Sequence, residues 1–233
     1  MTSLVPDRIR YCARRLKNHY GLSRHGNKRV AIDELIYILL SRQTSERNFK
    51  AAYRKLRSQY RTWDGLLKAP ERDIFEAVRG AGFGRQRTTE IKAIAARLSE
   101  DFGKVTLAPL SRYSTRRAES YLTVLRGVGK KTARCVLMYA LNRQVFPVDV
   151  HCFRVLNRLG LISLRGAVRN HEDRIQEIIP RGLRYTLHVT LVSLGRDVCH
   201  STSPECARCP VLNICSHGKR RRSQQIRMRG AKI

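Results

Sequence analysis

Residues 125–133 read Leu-Arg-Gly-Val-Gly-Lys-Lys-Thr-Ala and lie between two segments with helical spacing of apolar residues, 116–125 and 130–141. Two glycines around one valine allow a tight turn with positive φ. The turn amides and the first amides of the second helix would then point toward one place, which suits an anion such as phosphate. The spacing is not that of a Walker loop. From this stretch alone, a phosphate site and a plain helix–helix turn with solvated lysines both remain open.

The same helical pattern extends outward from this turn in both directions. Apolar residues recur at spacings of three and four, which predicts an all-α protein. A short strand-like alternation at 145–148 is interrupted by Pro147, which disfavours a strand. Glycines separate the periodic segments, as expected at joints between helices. The predicted helices are 7–19, 30–41, 46–60, 71–79, 86–101, 116–125, 130–141, 150–159, 171–179 and 183–197.

The net charge indicates a polyanionic partner. The 233 residues include 47 Lys+Arg and 18 Asp+Glu, a formal charge of +29. A globular core does not need this excess, and self-repulsion makes it unfavourable. Nucleic acid is the leading partner and an anionic membrane surface the alternative. The basic residues are spread over the whole chain, which favours a wide DNA-facing surface over a single membrane-binding helix such as 8–17.

The lengths of the apolar runs and the number of cysteines indicate the cellular compartment of the protein. The longest apolar runs, such as 135–141, are too short to cross a bilayer. The first residues lack the apolar core of a secretory signal, so we expect a cytoplasmic protein, and an organellar transit peptide is the alternative. In a reducing compartment, cysteines are better metal ligands than disulfide partners.

Four of the seven cysteines form a ligand-like cluster near the C-terminus. Their spacing is C-x6-C-x2-C-x5-C, and the residues are Cys199, Cys206, Cys209 and Cys215. Four thiolates in a compact loop suit a [4Fe-4S] cluster. A structural zinc site is the alternative, although zinc usually has two short C-x-x-C pairs. The remaining cysteines lie inside helical patterns and are expected to be buried thiols: Cys12, Cys135 and Cys152.

An aspartate stands at a predicted helix start in the stretch Val148-Asp149-Val150-His151. Asp149 is well placed as the N-cap of the helix beginning at Val150. Taken in isolation, this segment favours a structural role over a catalytic one.

Taken together, these segments resemble the helix–hairpin–helix DNA glycosylase family, and most closely endonuclease III. The family pattern has a hairpin L-P-G-V-G-x-K-T-A, then V-D-x-H, then C-x6-C-x2-C-x5-C, and all three occur here in this order. Residues 39–44 also resemble the family's L-L-S-x-Q segment, and 81–83 its I-G-L loop. The resemblance covers roughly residues 7–217.

The resemblance implies an architecture of two helical subdomains with the active-site cleft between them. Residues 24–134 would form a helical barrel with the hairpin. Residues 1–23 and 135–216 would form the iron–sulfur domain. Independently of the resemblance, residues 217–233 contain few apolar residues, and we expect them to form a disordered basic tail.

It also implies roles for individual residues. Lys131 corresponds to the catalytic lysine and Asp149 to the essential aspartate. Gln43 would fill the gap left by an extruded nucleotide, and Phe83 would enter the base stack as a wedge. From the residues alone, a helix-terminal role for Gln43 and a core position for Phe83 remain equally open. The other expected DNA contacts are Arg126, Gly127, Gly129, Lys130 and His151.

The implied activity is that of a bifunctional glycosylase and abasic-site lyase. Its partner would be duplex DNA containing oxidised pyrimidines or abasic sites, and we expect a monomer. A monofunctional glycosylase and a weakly active or non-catalytic lesion-binding paralogue are the alternatives. Two departures bear on this: Arg126 stands where the family usually has proline, and Ala81 and Phe83 replace the usual Ile and Leu.

Overall fold

The computed structural model describes residues 4–221 and Ser223, and these residues form helices and turns without a strand, as predicted. The α-helices are α1 (Leu4–Tyr20), α2 (Ala31–Ser41), α3 (Glu46–Gln59), α4 (Gly65–Lys68), α5 (Glu71–Val78), α6 (Gly84–Phe102), α7 (Thr115–Val124), α8 (Lys130–Tyr139), α9 (Val150–Leu159), α10 (Glu172–Ile178) and α11 (Arg184–Asp197). No helix in this described part of the chain has both the length and the apolar character needed to span a bilayer.

The chain divides into two compact units. Residues 26–143 form the first, here called the hairpin unit, and the described residues up to His25 and from Gln144 onward form the second, here called the cluster unit. The boundary between the two units lies at 143/144, after the end of α8. The sequence predicted a boundary at 134/135, inside that helix. The reason is that the second half of α8 is buried within the hairpin unit, and Arg143 donates a hydrogen bond to the Ser111 carbonyl at 2.8 Å.

The hairpin unit is built around α2. Nine of its eleven residues are buried, so this helix is apolar nearly all round and packs against both α3 and α8. Leu35 and Leu40 have no exposed surface. The helix α8 carries the residues that follow the glycine turn, so its buried face anchors the turn to the core of the unit.

The cluster unit packs α1 and α9 against α11. Its core includes Ile9, Leu16, Val155 and Leu191, each at most 1% exposed. The side chain of Arg8 links α1 to the end of α9 and to the residue before Cys215. Its Nη2 donates to the Leu159 carbonyl at 2.7 Å and to the Ile214 carbonyl at 3.1 Å.

The predicted basic tail begins with helical backbone. Residues 216–221 and Ser223 are helical, and the Lys219 N–H donates to the Cys215 carbonyl at 3.1 Å. Its first turn therefore continues directly from the last cysteine. Arg222 and residues 224–233 of the predicted tail lie outside the described residues.

Candidate functional site

The glycine turn has the geometry that the sequence predicts. Helix α7 ends at Val124, and the Val128 N–H donates to the Leu125 carbonyl at 3.0 Å, which closes a four-residue turn. Gly127, at the third position, has φ +79°. A side chain disfavours this conformation, so glycine is needed here.

Helix α8 starts directly after the turn. Gly129 is its N-cap in extended conformation, followed by exposed Lys130 and half-buried Lys131. The first N–H groups of a helix have no acceptor within the helix and lie at the positive end of its dipole. The turn therefore combines backbone donors with two lysines, which suits a DNA phosphate.

Gln43 and Phe83 both have left-handed backbone, with φ of 53° and 54°. Phe83 is 57% exposed, so it is not a core residue. Gln43 is also exposed and follows the end of α2. The two residues line the same shallow cavity of about 200 Å³, together with Arg42, Gln86 and Arg87. The structure thus brings the predicted gap-filling and wedge residues together within the hairpin unit.

A buried arginine fixes both of these segments. Arg87 is 2% exposed, and its guanidinium donates to the carbonyls of Leu39, Arg42 and Gly82, the last at 2.7 Å. Burial lowers the pKa of Arg87, and the neighbouring Arg42 cation lowers it further. The arginine ties the backbone before Gln43 to the backbone before Phe83.

Sequence reasoning missed this arginine, although a signal for it was present. On α6, position 87 continues the buried stripe formed by Ile91, Ile94 and Leu98 at spacings of four, three and four. A charged residue on an apolar helical stripe is expected to have specific buried partners.

Asp149 is the N-cap of α9, as predicted. Its Oδ1 accepts a hydrogen bond from the Cys152 N–H at 2.7 Å. The preceding segment 145–148 is buried, and the buried His188 donates from Nδ1 to the Pro147 carbonyl at 2.9 Å. Asp149 is half-buried, and hydrogen bonds fix the backbone before it, at Pro147, and after it, at Cys152.

His151 is packed against α11. A Cβ added to Gly195 would lie 2.7 Å from the His151 Nδ1, and Arg154 donates to that nitrogen at 3.0 Å. Burial lowers the pKa of His151 and Arg154 lowers it further, while Asp149 opposes both. A neutral ring is therefore favoured. The contact with DNA predicted for His151 stays a prediction.

The four clustered cysteines approach one another in the cluster unit. Burial, opposed by a backbone hydrogen bond from Val211 and aided by the charges of Cys215, Cys199 and Cys206, raises the pKa of the Cys209 thiol to about 11. In the described part of the chain, no three His, Cys, Asp or Glu side chains are arranged as a ready metal site. The donor set nevertheless fits an iron–sulfur cluster, because all four donors are sulfur atoms and the charges of the other three reach Cys209.

Nearby donors also suit thiolate ligands. Arg158 donates to the Cys199 Sγ at 3.3 Å, and the Gly218 N–H donates to the Cys215 Sγ at 3.3 Å. Such donors stabilise charged sulfur and influence the potential of a cluster. The other three cysteines are buried, as predicted: Cys12, Cys135 and Cys152.

Comparison with protein families identifies the superfamily of this chain. The sequence profile described as "HhH-GPD superfamily base excision DNA repair protein" matches residues 36–181, which is more than half of the chain.

Two relatives show the same level of identity. The chain is 31% identical over 195 residues to an endonuclease III of Thermotoga maritima, covering 84% of this chain and 87% of the relative. It is also 31% identical over 185 residues to an Arabidopsis thaliana protein provisionally named a DNA glycosylase. That match covers 79% of this chain, which spans 62% of the length of the plant relative.

Solved structures agree in fold. An endonuclease III in a non-covalent complex with DNA superposes with a TM-score of 0.81 at 26% identity, covering 94% of this chain and 98% of that one. A trapped covalent intermediate of endonuclease III with DNA gives a TM-score of 0.80 at 27% identity, covering 93% and 98%.

Proposed function

Because the chain belongs to the HhH-GPD superfamily of base excision DNA repair proteins, we propose that it is a bifunctional DNA glycosylase and abasic-site lyase. The observation that carries the proposal is the position of Lys131. This lysine is the second residue of α8, directly after the glycine turn, and is half-buried beside backbone suited to a phosphate. An amine held next to the DNA backbone can reach the sugar of a nucleotide that has left the helix.

In this proposal, the hairpin unit binds and opens the duplex. A base inside a duplex cannot be reached, so the damaged nucleotide must be extruded at a free-energy cost of a few kcal/mol. The exposed ring of Phe83 would enter the base stack, and Gln43 would occupy the vacated space, which offsets part of that cost. Their shared cavity and their common anchor on Arg87 support a joint role.

Lys131 would then act as the nucleophile. Its neutral amine attacks the anomeric carbon, and the base leaves with the electron pair of the glycosidic bond and takes up a proton. The nitrogen lone pair then forms the C=N bond of a Schiff base while the C1′–O4′ bond breaks, and O4′ takes up a proton. Removal of a proton from the neighbouring sugar carbon then expels the 3′ phosphate by β-elimination, and water hydrolyses the imine to release the enzyme.

Asp149 would stabilise the positive charge that develops on the sugar and assist the proton transfers. Its position as N-cap fixes the carboxylate, with one oxygen already accepting the Cys152 N–H.

We further propose that the four cysteines hold a [4Fe-4S] cluster, which would stabilise the loop 199–215. Oxidised pyrimidines and abasic sites in duplex DNA are the proposed substrates, on the basis of the likeness to endonuclease III. We expect the protein to act as a monomer in the cytoplasm.

The proposal is tested with a strand-cleavage assay on duplexes that contain an oxidised pyrimidine, a mismatch or an abasic site. Wild type should nick the oxidised-pyrimidine and abasic duplexes. Lys131→Ala should abolish nicking, whereas Lys130→Ala, a matched loss of the adjacent lysine, should mainly weaken binding.

The same assay identifies the two alternatives. A monofunctional glycosylase would release the base and leave the strand intact until alkali is added. A lesion-binding protein would retain abasic DNA in a salt-sensitive manner and give neither free base nor a nicked strand. Either result would overturn the proposed bifunctional activity.

A further inference from the structure

Arg42 connects two distant parts of the hairpin unit. Its Nη1 donates to the Gly127 carbonyl at 2.7 Å, and its Nη2 forms an ion pair with Glu90 on α6. Its Nε donates to the Leu39 carbonyl at 3.4 Å, at the end of α2. All three guanidinium nitrogens therefore bind acceptors within the protein, 85 residues apart in the case of Gly127.

The buried side chain of Glu90 packs against the glycine turn. It is 4% exposed, and its Oε1 accepts a hydrogen bond from the Gln86 Nε2 at 2.9 Å. A Cβ added to Gly127 would lie 2.5 Å from the Glu90 Cδ, so the carboxylate packs directly against the turn. Gly127 is thus required for its positive φ and also for the space that Glu90 occupies.

The same contacts lead to the two segments proposed to enter the duplex. Gln43 follows Arg42 in the chain, and the Arg42 carbonyl accepts from Arg87, which also binds the carbonyl of Gly82 next to Phe83. The glycine turn, the segment of Gln43 and the segment of Phe83 are therefore joined through Arg42, Arg87 and Glu90.

We propose that the Arg42–Glu90 pair is a positioning element that fixes the glycine turn relative to Gln43 and Phe83. The turn would then bind the DNA backbone at the place where the duplex is opened, and lesion-containing DNA would be favoured over intact DNA. This inference rests on the proposed function for its substrate, but it concerns binding and not the chemistry of Lys131.

Arginine is needed for this role because its planar fork binds two acceptors at once, whereas lysine carries one compact ammonium group. Arg42→Lys therefore keeps the positive charge and removes the bridge. If Arg42 acted only as a charge attracting phosphate, lysine would replace it.

The test measures the affinity of wild type, Arg42→Lys and Glu90→Gln for two duplexes. One contains a tetrahydrofuran abasic analogue, which no lyase can cleave, and the other is undamaged. Both variants should lose about tenfold in affinity for the abasic analogue, equal to loss of one charge-assisted hydrogen bond, and change little on undamaged DNA. Arg72→Ala, which removes an exposed arginine of α5, should alter both affinities equally.

Two results would overturn the inference. One is an Arg42→Lys variant that keeps the wild-type selectivity for the abasic analogue. The other is a loss of affinity that is equal for both duplexes. Because the analogue is not cleaved, these outcomes do not depend on whether Lys131 forms a Schiff base.

Substitution of Arg126 by proline tests whether Arg42 positions the glycine turn or only stabilises the fold. Proline at the second position of a turn fixes φ, and Leu125 already has the extended backbone that a following proline requires (φ −66°, ψ 138°). In the Arg42→Ala background, Arg126→Pro should restore part of the selectivity for abasic DNA, and Arg126→Ala should not. Equal behaviour of the two double variants would contradict the positioning role.

Discussion

The hairpin unit and the cluster unit define their functional groups in different ways. In the hairpin unit the site depends on backbone conformation, with positive φ at Gln43, Phe83 and Gly127. The buried Arg87 and the partly exposed Arg42 hold this backbone by donating to carbonyls. In the cluster unit the loop 199–215 contains only two short 3-10 turns, and four side chains decide. The first site is therefore sensitive to changes that release the backbone, and the second to the loss of a single thiol.

Within the cluster unit, helix α9 carries Asp149 and also holds the cysteine loop. Asp149 caps its start, while Arg154 donates to the Cys199 carbonyl at 3.0 Å and Arg158 to the His200 carbonyl at 2.5 Å. The cysteine loop is thus attached to the same helix that holds the proposed catalytic carboxylate. Disturbing the loop is expected to affect Asp149 before it affects the glycine turn.

The largest effect should follow from Cys209→Ser. Loss of one of four sulfur ligands should remove the visible absorbance of the cluster and most of its iron, which is about four atoms per chain in wild type. Hydrogen exchange should increase in α9 and the loop and remain near wild type in α2 and α8. Cys135→Ala, which removes a buried thiol of the hairpin unit, should leave the iron content unchanged. Full iron content in Cys209→Ser would contradict the ligand assignment.

Asp149→Asn should separate catalysis from capping. Asparagine caps a helix about as well as aspartate, so thermal stability should stay close to wild type. Strand cleavage should fall by about 10²–10⁴-fold, the usual contribution of a catalytic acid or base.

Asp149→Ala is the matched variant, because it removes the cap as well as the charge. It should lower the free energy of unfolding by about 1 kcal/mol in addition to the catalytic loss. Wild-type cleavage by Asp149→Asn would leave Asp149 with a structural role only.

Arg87→Met should destabilise the hairpin unit without affecting the iron content. Three carbonyls would lose their donor, and we expect the free energy of unfolding to fall by about 2–4 kcal/mol. Arg85→Met removes an exposed charge on the same helix and should change stability by less than about 0.5 kcal/mol. Equal stability of the two variants would show that Arg87 does not hold the segments of Gln43 and Phe83.

The smallest effect concerns pH and His151. Because burial, aided by Arg154 and Arg196 and opposed by Asp149, lowers the pKa of His151, folding favours the neutral ring. The unfolded chain therefore binds more protons, and this contribution to stability is present above pH of about 6.5 and declines as the pH falls below it. His151→Gln should lose less stability than wild type between pH 7 and 5 in chemical unfolding. An identical pH dependence would contradict this assignment.

Much of the fold could be read from the sequence, because each long helix has a regular apolar stripe. Helix α9 was predicted with its observed bounds, and α2 and α3 to within one residue. The four-residue helix α4 was missed, since it is too short to show periodicity. The α6 start at Gly84, two residues before the predicted start, follows from the left-handed backbone of Phe83, which no sequence pattern indicated.

The parts of the candidate site that depend on short sequence motifs could be predicted. The glycine turn, the cap formed by Asp149 and the grouping of the cysteines all follow from short motifs. The contacts of Arg42 and Arg87 could not be predicted, because their acceptors are backbone carbonyls as far as 85 residues away. Such contacts depend on the tertiary fold and leave no local pattern.

Lys131 is the residue proposed to form the covalent bond to DNA, and reductive trapping identifies the bonded residue. Borohydride added during reaction with an abasic duplex should yield a protein–DNA adduct, and peptide mass analysis should assign the modified residue to Lys131. The adduct should form with Lys130→Ala and be absent with Lys131→Ala. An adduct on another residue, or one that persists in Lys131→Ala, would show that Lys131 is not the nucleophile.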